Sequence, residues 1–424
     1  MTSTCPSASV SSRSSVEKTP EPVEALPITT VVADSLEAVE RLRPGWNRLR
    51  SGCSLATPNA DPDRYLATLR GLGDRARPYV AMLHGSAEPR ALIIGREQVR
   101  PGRIRLGYLQ LPALSLRSLD IVYGGLITDD SQQAVRAVVD HLRRLIDTGR
   151  FDQIMINHLP MRGRVAMALR ADRALARRSV ADAPDPHWRF ALVPGSYERT
   201  IQRFSRKHRY NMRRADRLLV DRFAGDVALH RFEKPAQIEE LAAGAAQITA
   251  CTYQAALGAG AVDTTLHRDL LRIEADHGRL RSYWLECEGR PIAFQIAVVY
   301  GDVYNLLSTA FLPQYAAVSP GQVLLVRVIR DLCESKIGWI DYGFGDSPYK
   351  RIYGTESWDE ATVHLYAKNV RASSASVVHR VAVGLHRRAS AALARGGLLA
   401  RVKKRWRSRL ATGRNSSTMA RGRK

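Results

Sequence analysis

The sequence predicts an α/β (α+β) fold made of two tandem halves, each a mixed, mostly antiparallel sheet flanked by helices. The 424 residues exceed what one hydrophobic core usually serves. In the first half, short β-rich segments bounded by Gly and Pro precede an amphipathic helix and a further strand. The second half repeats this order of elements without repeating the residues, which indicates duplication of one unit.

The first half begins with a short strand near Ile28, followed by a helix over 35–49 with Trp46 and three aliphatic residues at helical spacing. Four β-rich segments come next, then a helix with a single apolar face, then one more strand. These elements are predicted over 78–85, 91–98, 103–111 and 119–127 (strands), 131–148 (helix) and 151–159 (strand).

The second half begins with a strongly basic helix and two further helices. Three strands joined by Gly turns lead into a loop and an apolar helix, and two strands close the unit. The predicted helices are 205–222, 237–251, 265–277 and 322–336, and the predicted strands are 281–289, 291–300, 303–311, 338–345 and 361–367.

The chain therefore divides into four predicted segments. Residues 1–26 are rich in Ser, Thr, Pro and Glu and are expected to be disordered. An N-terminal domain spans 27–190, and a C-terminal domain that carries the activity spans 191–369. Residues 370–424 form a basic tail, either disordered or made of short amphipathic helices, and the catalytic unit is expected to end near Ala367.

Charge and cysteine content restrict the function classes. Fifteen Lys and Arg residues and no acidic residue lie in 370–424, so most of the net charge of +23 belongs to the tail and is weak evidence for nucleic-acid binding. The five scattered cysteines predict neither a disulfide framework nor a zinc site, and no metal is expected. No apolar segment has the length of a membrane span or a signal peptide, so a cytoplasmic location is expected.

Three segments of the second half carry a family resemblance. They are GRPIAFQIAVVYGDVYNLLSTAF, SPGQVLLVRVIRDL and IDYGFGDSPYKRIYG, and the basic helix FSRKHRYNMRRADRLL adds to them. Together they resemble the CelD/BcsL branch of the GNAT acetyltransferase superfamily, whose two-domain architecture is related to that of the Fem peptidoglycan transferases. The resemblance implies two GNAT-like domains and an acyl-CoA donor.

The expected donor site is the start of the helix that follows the three predicted strands, which the resemblance equates with the pyrophosphate-binding loop after the fourth strand of the GNAT core. A helix N-terminus offers unpaired amides and a positive dipole end to a pyrophosphate. The residues assigned to coenzyme binding are Gln314, Ser319, Pro320, Gly321 and Gln322. This segment has one glycine where the common GNAT loop has two, so an aminoacyl-tRNA donor, as in the Fem relatives, is the alternative.

The block DYGFGDSPYK resembles the family's signature and supplies four candidate catalytic residues. Asp341 or Asp346 is expected to act as the general base. Tyr349 is assigned to protonation of the leaving thiolate, and Lys350 to a phosphate or the developing oxyanion. A structural role for Asp341 and Lys350 is the competing interpretation.

The basic helix predicts an anionic partner. Arg206, Arg209 and Arg213 fall on one helical stripe and are assigned to substrate binding, together with His158 at the end of a first-half strand. The tail's apolar and basic residues suit an anionic membrane surface.

The sequence as a whole predicts an acyl-CoA-dependent N- or O-acyltransferase acting on an envelope polysaccharide, glycolipid or nucleotide-sugar precursor. The alternatives are a Fem-like aminoacyl-tRNA-dependent transferase and a non-catalytic RNA- or lipid-binding protein.

Overall fold

The computed structural model describes residues 28–53, 57–86, 88–106, 109–256 and 260–395. The predicted disordered N-terminus, 1–26, and the tail beyond Arg395 lie outside these residues. Within them, no helix is both long and apolar enough to cross a membrane.

All strands of the described residues belong to one large mixed sheet. Their spatial order is β1-β2-β3-β4-β5-β13-β7-β12-β11-β10-β9-β8, with β6 paired to β13. The strands are β1 Ile28–Ala33, β2 Arg77–Gly85, β3 Glu88–Leu106, β4 Leu109–Thr128, β5 Gln153–Pro160, β6 Ser179–Ala181, β7 Asp185–Ala191, β8 Val227–Phe232, β9 Ser282–Cys287, β10 Arg290–Tyr300, β11 Val303–Phe311, β12 Trp339–Phe344 and β13 Glu356–Tyr366.

Helices cover this sheet and connect its strands. They are α1 Leu36–Arg41, α2 Arg43–Ser51, α3 Pro62–Leu72, α4 Gln132–Asp147, α5 Arg164–Ala171, α6 Arg173–Arg178, α7 Tyr197–Ile201, α8 Arg206–Arg222, α9 Ile238–Ala250, α10 Tyr253–Ala256, α11 Thr265–Asp276, α12 Pro320–Glu334, α13 Pro348–Tyr353 and α14 Val370–Arg395. The helix expected over 35–49 is two helices, because Pro44 lacks the amide that a continuous helix needs and instead lies in the first turn of α2, which begins at Arg43.

The two halves repeat one another, as the sequence predicts. In the first half, β1 to β4 form an antiparallel meander, α4 crosses over, and β5 returns parallel to β4. In the second half, β8 to β11, α12 and β12 do the same. The predicted fold class is confirmed: a tandem α/β structure with a mixed sheet flanked by helices.

The halves exchange their closing strands. β7 follows the first half along the chain but pairs with β12 of the second. β13 follows the second half but pairs with β5 of the first. The cores follow this exchange, because Phe190 of β7 lies in the second-half core and Leu365 of β13 in the first-half core. Both predicted boundaries, after residues 190 and 369, therefore cut through a packed core.

The tail is also partly folded. Helix α14 lies against β3 and β4, and its Ala372 and Ala382 are buried. The folded part of the chain thus continues through Arg395, beyond the end expected near Ala367.

Candidate functional site

The parallel strand pairs at the centre of the sheet are short. β4 and β5 pair only over Ser118–Ile121 and Gln153–Ile156, and β11 and β12 only over Val303–Asn305 and Trp339–Asp341. Within the described residues, the backbone pairing of each pair stops there. A cavity of about 360 Å³ lies where the two unpaired regions meet, lined by residues of both halves.

A buried charged cluster forms one wall of this cavity, with Asp341 at its centre. His187 Nε2 lies 2.7 Å from one oxygen of the Asp341 carboxylate, and Arg189 Nε donates to the other at 2.9 Å. The amide of Gly343 donates a third hydrogen bond at 2.8 Å. Because side chains alternate along a strand, His187 and Arg189 share one face of β7 and reach the same carboxylate.

A second carboxylate lies on the far side of His187. Glu360 Oε1 is 3.2 Å from His187 Nδ1 and accepts a 2.8 Å hydrogen bond from the indole of Trp358. The hydroxyl of Tyr123 contacts the same imidazole nitrogen at 3.0 Å. Trp358 also stacks on the imidazole, with ring centroids 4.3 Å apart. His187 is thereby fixed between two carboxylates, Asp341 on β12 and Glu360 on β13.

The pKa values of Asp341 and His187 are shifted in the directions that favour their charged forms. Burial alone raises the pKa of Asp341, but hydrogen bonds and charge from His187 and Arg189 outweigh it and hold the pKa below its usual range. Burial lowers the pKa of His187, but Asp341 and Glu360 reverse this and raise it above the ordinary value. Asp341 is therefore an ionised carboxylate, and His187 favours the protonated form.

His158, predicted to bind substrate, lies in the wall of the cavity. Its backbone is left-handed, with φ of 47°, which is uncommon for a non-glycine residue. Its ring stacks on Phe344 with centroids 3.6 Å apart, and its buried Nδ1 has no hydrogen-bond partner among the described residues. Burial lowers the pKa of His158, so the ring is neutral near pH 7. His158 therefore contributes a neutral ring to the cavity wall.

The other three candidate catalytic residues lie away from the cavity wall. Asp346 forms an ion pair with Arg351 at the surface. Tyr349 packs edge-on against Tyr342 at the edge of the core, and burial raises its pKa. Lys350 is buried and donates to the carbonyls of Gly343 and Phe344, at 3.2 and 2.7 Å. Lys350 thus supports the turn that places Phe344, whereas the structural alternative made it a solvated partner of Asp341.

The predicted donor loop turns tightly onto itself. Gln314 lies in a 3₁₀ helix, Pro313–Val318, and Ser319 is left-handed with φ of 52°. The amide of Ser319 donates to Ala316, and those of Gln322 and Val323 donate to the Ser319 carbonyl. Pro320, which has no amide, begins α12. Three of the amides that a pyrophosphate would bind are therefore already used within the turn.

Gly321 has a packing role as well. A Cβ atom there would lie 3.1 Å from the ring of Phe311, closer than most such contacts. Because Gly321 has no side chain, the Phe311 ring can lie against the start of α12. This packing role does not depend on which ligand the loop binds.

The predicted arginine stripe on α8 contains two exposed arginines and one that bonds within the protein. Arg206 and Arg213 are exposed, together with Lys207, Arg214 and Arg217. Arg209 is half-buried, and its guanidinium donates to the carbonyls of Gln202 and Phe204, which end α7. The surface of α8 remains strongly cationic without Arg209.

Residues 206–351 match the family model described as an acetyltransferase (GNAT) domain. The second half contains a GNAT domain. The chain is also similar to the crystal structure of FemX, with a TM-score of 0.54 and 10% identity over 76% of this chain and 95% of that one. At this identity the likeness concerns the fold alone. No curated protein sequence matches the chain.

Two further solved structures are similar at lower TM-scores. One is the C-terminal domain of a putative lysylphosphatidylglycerol synthetase from Agrobacterium fabrum, with a TM-score of 0.46 and 14% identity over 81% of this chain and 94% of that one. The other is a tandem GNAT protein from the clavulanic acid biosynthesis pathway, with a TM-score of 0.45 and 10% identity over 81% and 99%.

The sequence interpretation missed most of the cluster beside the GNAT domain's β12. His187, Arg189, Trp358 and Glu360 were not singled out, nor was Tyr123. Two segments carried a usable signal, because HWR and WDE place polar residues at alternate positions of a strand. Neither segment shows that these polar faces are buried together.

A larger and more open groove of about 700 Å³ runs between α4 and α5. Its polar groups include the surface ion pairs of Arg143 with Asp140 and Asp172. The smaller cavity is the better candidate site, because it contains buried, hydrogen-bonded charges at the divergence of the GNAT domain's parallel strands.

The buried Lys350 predicts a pH dependence of stability. Burial lowers the pKa of Lys350 to about 8, against the opposing pull of Asp341 and Asp185. Between about pH 8 and 10.5 the unfolded chain binds more protons at this residue, so the free energy of unfolding should rise with pH, by up to about 3 kcal/mol. Urea unfolding across this range should show that rise in the native protein and a flatter profile in Lys350→Met. Parallel profiles would contradict the buried position of the ammonium group.

Proposed function

We propose that the protein is an acyl-CoA-dependent N- or O-acyltransferase whose acceptor is an envelope polysaccharide, glycolipid or nucleotide-sugar precursor. The observation that carries the proposal is the ionised Asp341 carboxylate in the cavity wall, at the residue where β11–β12 pairing stops. The donor thioester would lie between the unpaired parts of β11 and β12. The acceptor would occupy the cavity on the first-half side.

The proposed reaction is a direct transfer. The acceptor amine or hydroxyl attacks the thioester carbonyl, its proton passes to the Asp341 carboxylate, and the carbon–sulfur bond breaks to release the coenzyme thiolate. Tyr349 keeps its proton because burial raises its pKa, and it remains the predicted donor to that thiolate. His187 and Arg189 fix the carboxylate through their hydrogen bonds.

The cavity lining supports a saccharide acceptor. Besides the charged cluster, it contains hydroxyl and amide side chains and aromatic rings, which together suit a polyhydroxylated ring with an apolar face. These lining residues are Thr57, Asn59, Tyr123, Asn157, Asn305 and Trp358.

One observation favours the Fem-like alternative, in which the donor is an aminoacyl-tRNA. The amides of the donor loop are partly used, and the exposed arginines of α8 offer a phosphate-binding surface beside α12. Thermal unfolding with acetyl-CoA or with tRNA separates the two donors, because only a ligand bound to the native state raises the midpoint. Stabilisation by tRNA alone would replace the acyl-CoA proposal.

The donor position is tested by Gly321→Glu. A carboxylate at the start of α12 should repel the pyrophosphate and lower acetyl-CoA affinity at least about tenfold, a free-energy change of about 1.4 kcal/mol. The fold should survive, because Phe311 is 37% exposed and its ring has room to move. Calorimetric titration measures the affinity, and Gly384→Glu on α14, where a Cβ atom meets nothing, is the control. Equal affinity in both variants would place the donor elsewhere.

We also propose a cytoplasmic location with peripheral contact to the inner face of the membrane. Val377, Val381 and Leu385 recur every four residues along α14 and are exposed. Basic residues of the same helix, including Arg387 and Arg388, accompany this apolar stripe. An exposed apolar stripe beside cations is the pattern of a helix that lies on an anionic lipid surface.

A further inference from the structure

A cluster of metal-ligating side chains lies outside the candidate active site, where α14 crosses β13. It consists of Asp182 after β6, His364 on β13 and His379 on α14. One ligand atom from each residue lies within 4.8 Å of the others. We propose that these three residues bind a divalent transition-metal ion, with Zn²⁺ as the best match, and that the ion fastens α14 to the sheet.

The geometry of the donor atoms supports this assignment. His379 Nε2 is 2.8 Å from Asp182 Oδ1, and His364 Nε2 is 3.5 Å from Asp182 Oδ2. Ligands of a tetrahedral zinc ion, bound at about 2.0–2.1 Å, stand about 3.4 Å apart, so only small side-chain shifts are needed. The two imidazole planes cross at 86°, with centroids 4.5 Å apart, and both rings turn Nε2 toward the carboxylate.

The outer nitrogens of both histidines are held as a metal site requires. His364 Nδ1 contacts the side-chain amide of Gln153, and His379 Nδ1 lies 2.8 Å from the hydroxyl of Tyr366. When Nε2 binds the metal, each Nδ1 carries the proton and donates it to an oxygen, which fixes the ring. For His364 this requires the side-chain amide of Gln153 to be oriented with its oxygen toward Nδ1. Surface side chains that are close only by chance would not have their outer nitrogens held in this way by Gln153 and Tyr366.

One nitrogen of the cluster lacks a protein partner. The His364 side chain is mostly buried, and its Nε2 has no hydrogen-bond partner within the described residues because Asp182 lies 3.5 Å away with poor geometry. An unsatisfied buried imidazole nitrogen is costly, and a bound cation would satisfy it. Arg100 also acts electrostatically on His364, but it is paired with Asp120 at 3.1 Å, which reduces its repulsion of a bound cation.

The ligand set also indicates the class of metal. Two imidazoles and one carboxylate suit Zn²⁺ and its neighbours Co²⁺, Ni²⁺ and Cu²⁺ better than Mg²⁺ or Ca²⁺, which prefer oxygen ligands. No sequence motif marks this site, because its ligands are separated by 182 and 15 residues and come from β13, α14 and the segment after β6.

Titration of the untagged, metal-free full chain with ZnCl₂ tests the proposal. One equivalent should bind, and zinc should raise the thermal unfolding midpoint and slow tryptic cleavage between β13 and α14. His379→Gln should weaken binding at least about tenfold and abolish both effects of zinc. His386→Gln, on the same helix but outside the cluster, is the matched control and should behave as the native protein.

Two results would overturn the proposal. One is the absence of saturable zinc binding to the native chain at micromolar protein concentration. The other is equal zinc affinity and equal protection in His379→Gln and His386→Gln, which would assign the binding to the free cysteines or to scattered surface groups. The test does not depend on acyl transfer, so it stands whatever the donor and acceptor prove to be.

Discussion

Asp341→Asn lowers the rate of acyl transfer by about 10²- to 10⁴-fold, the usual contribution of a general base. Asn keeps the size of the side chain, but it has one accepting oxygen where Asp341 uses two, so it keeps only part of the hydrogen bonding with His187 and Arg189. It also cannot take the proton of the acceptor. The rate is measured as release of the coenzyme thiol from saturating acetyl-CoA in the presence of nucleotide-sugar and amino-sugar acceptors. Donor affinity should change little, because the substitution lies on the acceptor side of the reacting carbonyl.

The loss of a buried charge also reduces stability, so the control must separate the two effects. Removing one partner of a buried ion pair costs about 3–5 kcal/mol, and Asp341→Asn should fall in this range because it loses the charge and one accepting oxygen. Asp346→Asn removes a carboxylate from the same block, where it pairs with Arg351 near the surface, and should change the rate less than about twofold. If the two variants have the same rate once corrected for folded fraction, Asp341 is a structural residue.

Truncation after Asn369 destabilises the protein by on the order of 3 kcal/mol, whereas truncation after Arg395 leaves the unfolding midpoint close to that of the full chain. The first truncation removes α14, whose Ala372 and Ala382 are buried against the first half, and breaks the His379 contacts with Asp182 and Tyr366. Chemical unfolding of the three proteins measures the difference. Equal stability of all three would show that α14 does not contribute to the fold.

The same truncations examine the proposed membrane contact. The protein ending at Arg395 retains the apolar stripe of α14 but loses ten of the fifteen basic residues of the tail. Its co-sedimentation with anionic vesicles should be weaker than that of the full chain and more easily reversed by salt. Undiminished sedimentation at high salt would point to α8 or to apolar insertion alone.

Elements governed by local patterns could be predicted from the sequence. The Gly turns at Gly289 and Gly301 mark the β9–β10–β11 meander, and the apolar period of α12 marks the crossover helix. Helix α8 begins at Arg206, one residue inside the predicted start, because Ser205 caps it through its hydroxyl. These features depend on a few neighbouring residues, which is why one sequence is enough to find them.

The strand exchange and the charged cluster could not be predicted in this way. His187 and Asp341 lie 154 residues apart, and nothing local indicates that β7 pairs with β12 rather than with β5. Pairing between distant strands is decided by the packing of the whole sheet. The same limit applies to α14, whose basic composition suggested a solvated tail although Ala372 and Ala382 pack inward.

The exchange of β7 and β13 has a consequence for how the protein folds during synthesis. The first-half core needs Leu365, so it cannot be completed until the ribosome has passed the end of the second half. Such long-range closure slows folding, because a large loop must be ordered before its contacts form. The two halves should consequently melt in one cooperative transition rather than as independent units, and neither half expressed alone has the strand that seals its sheet.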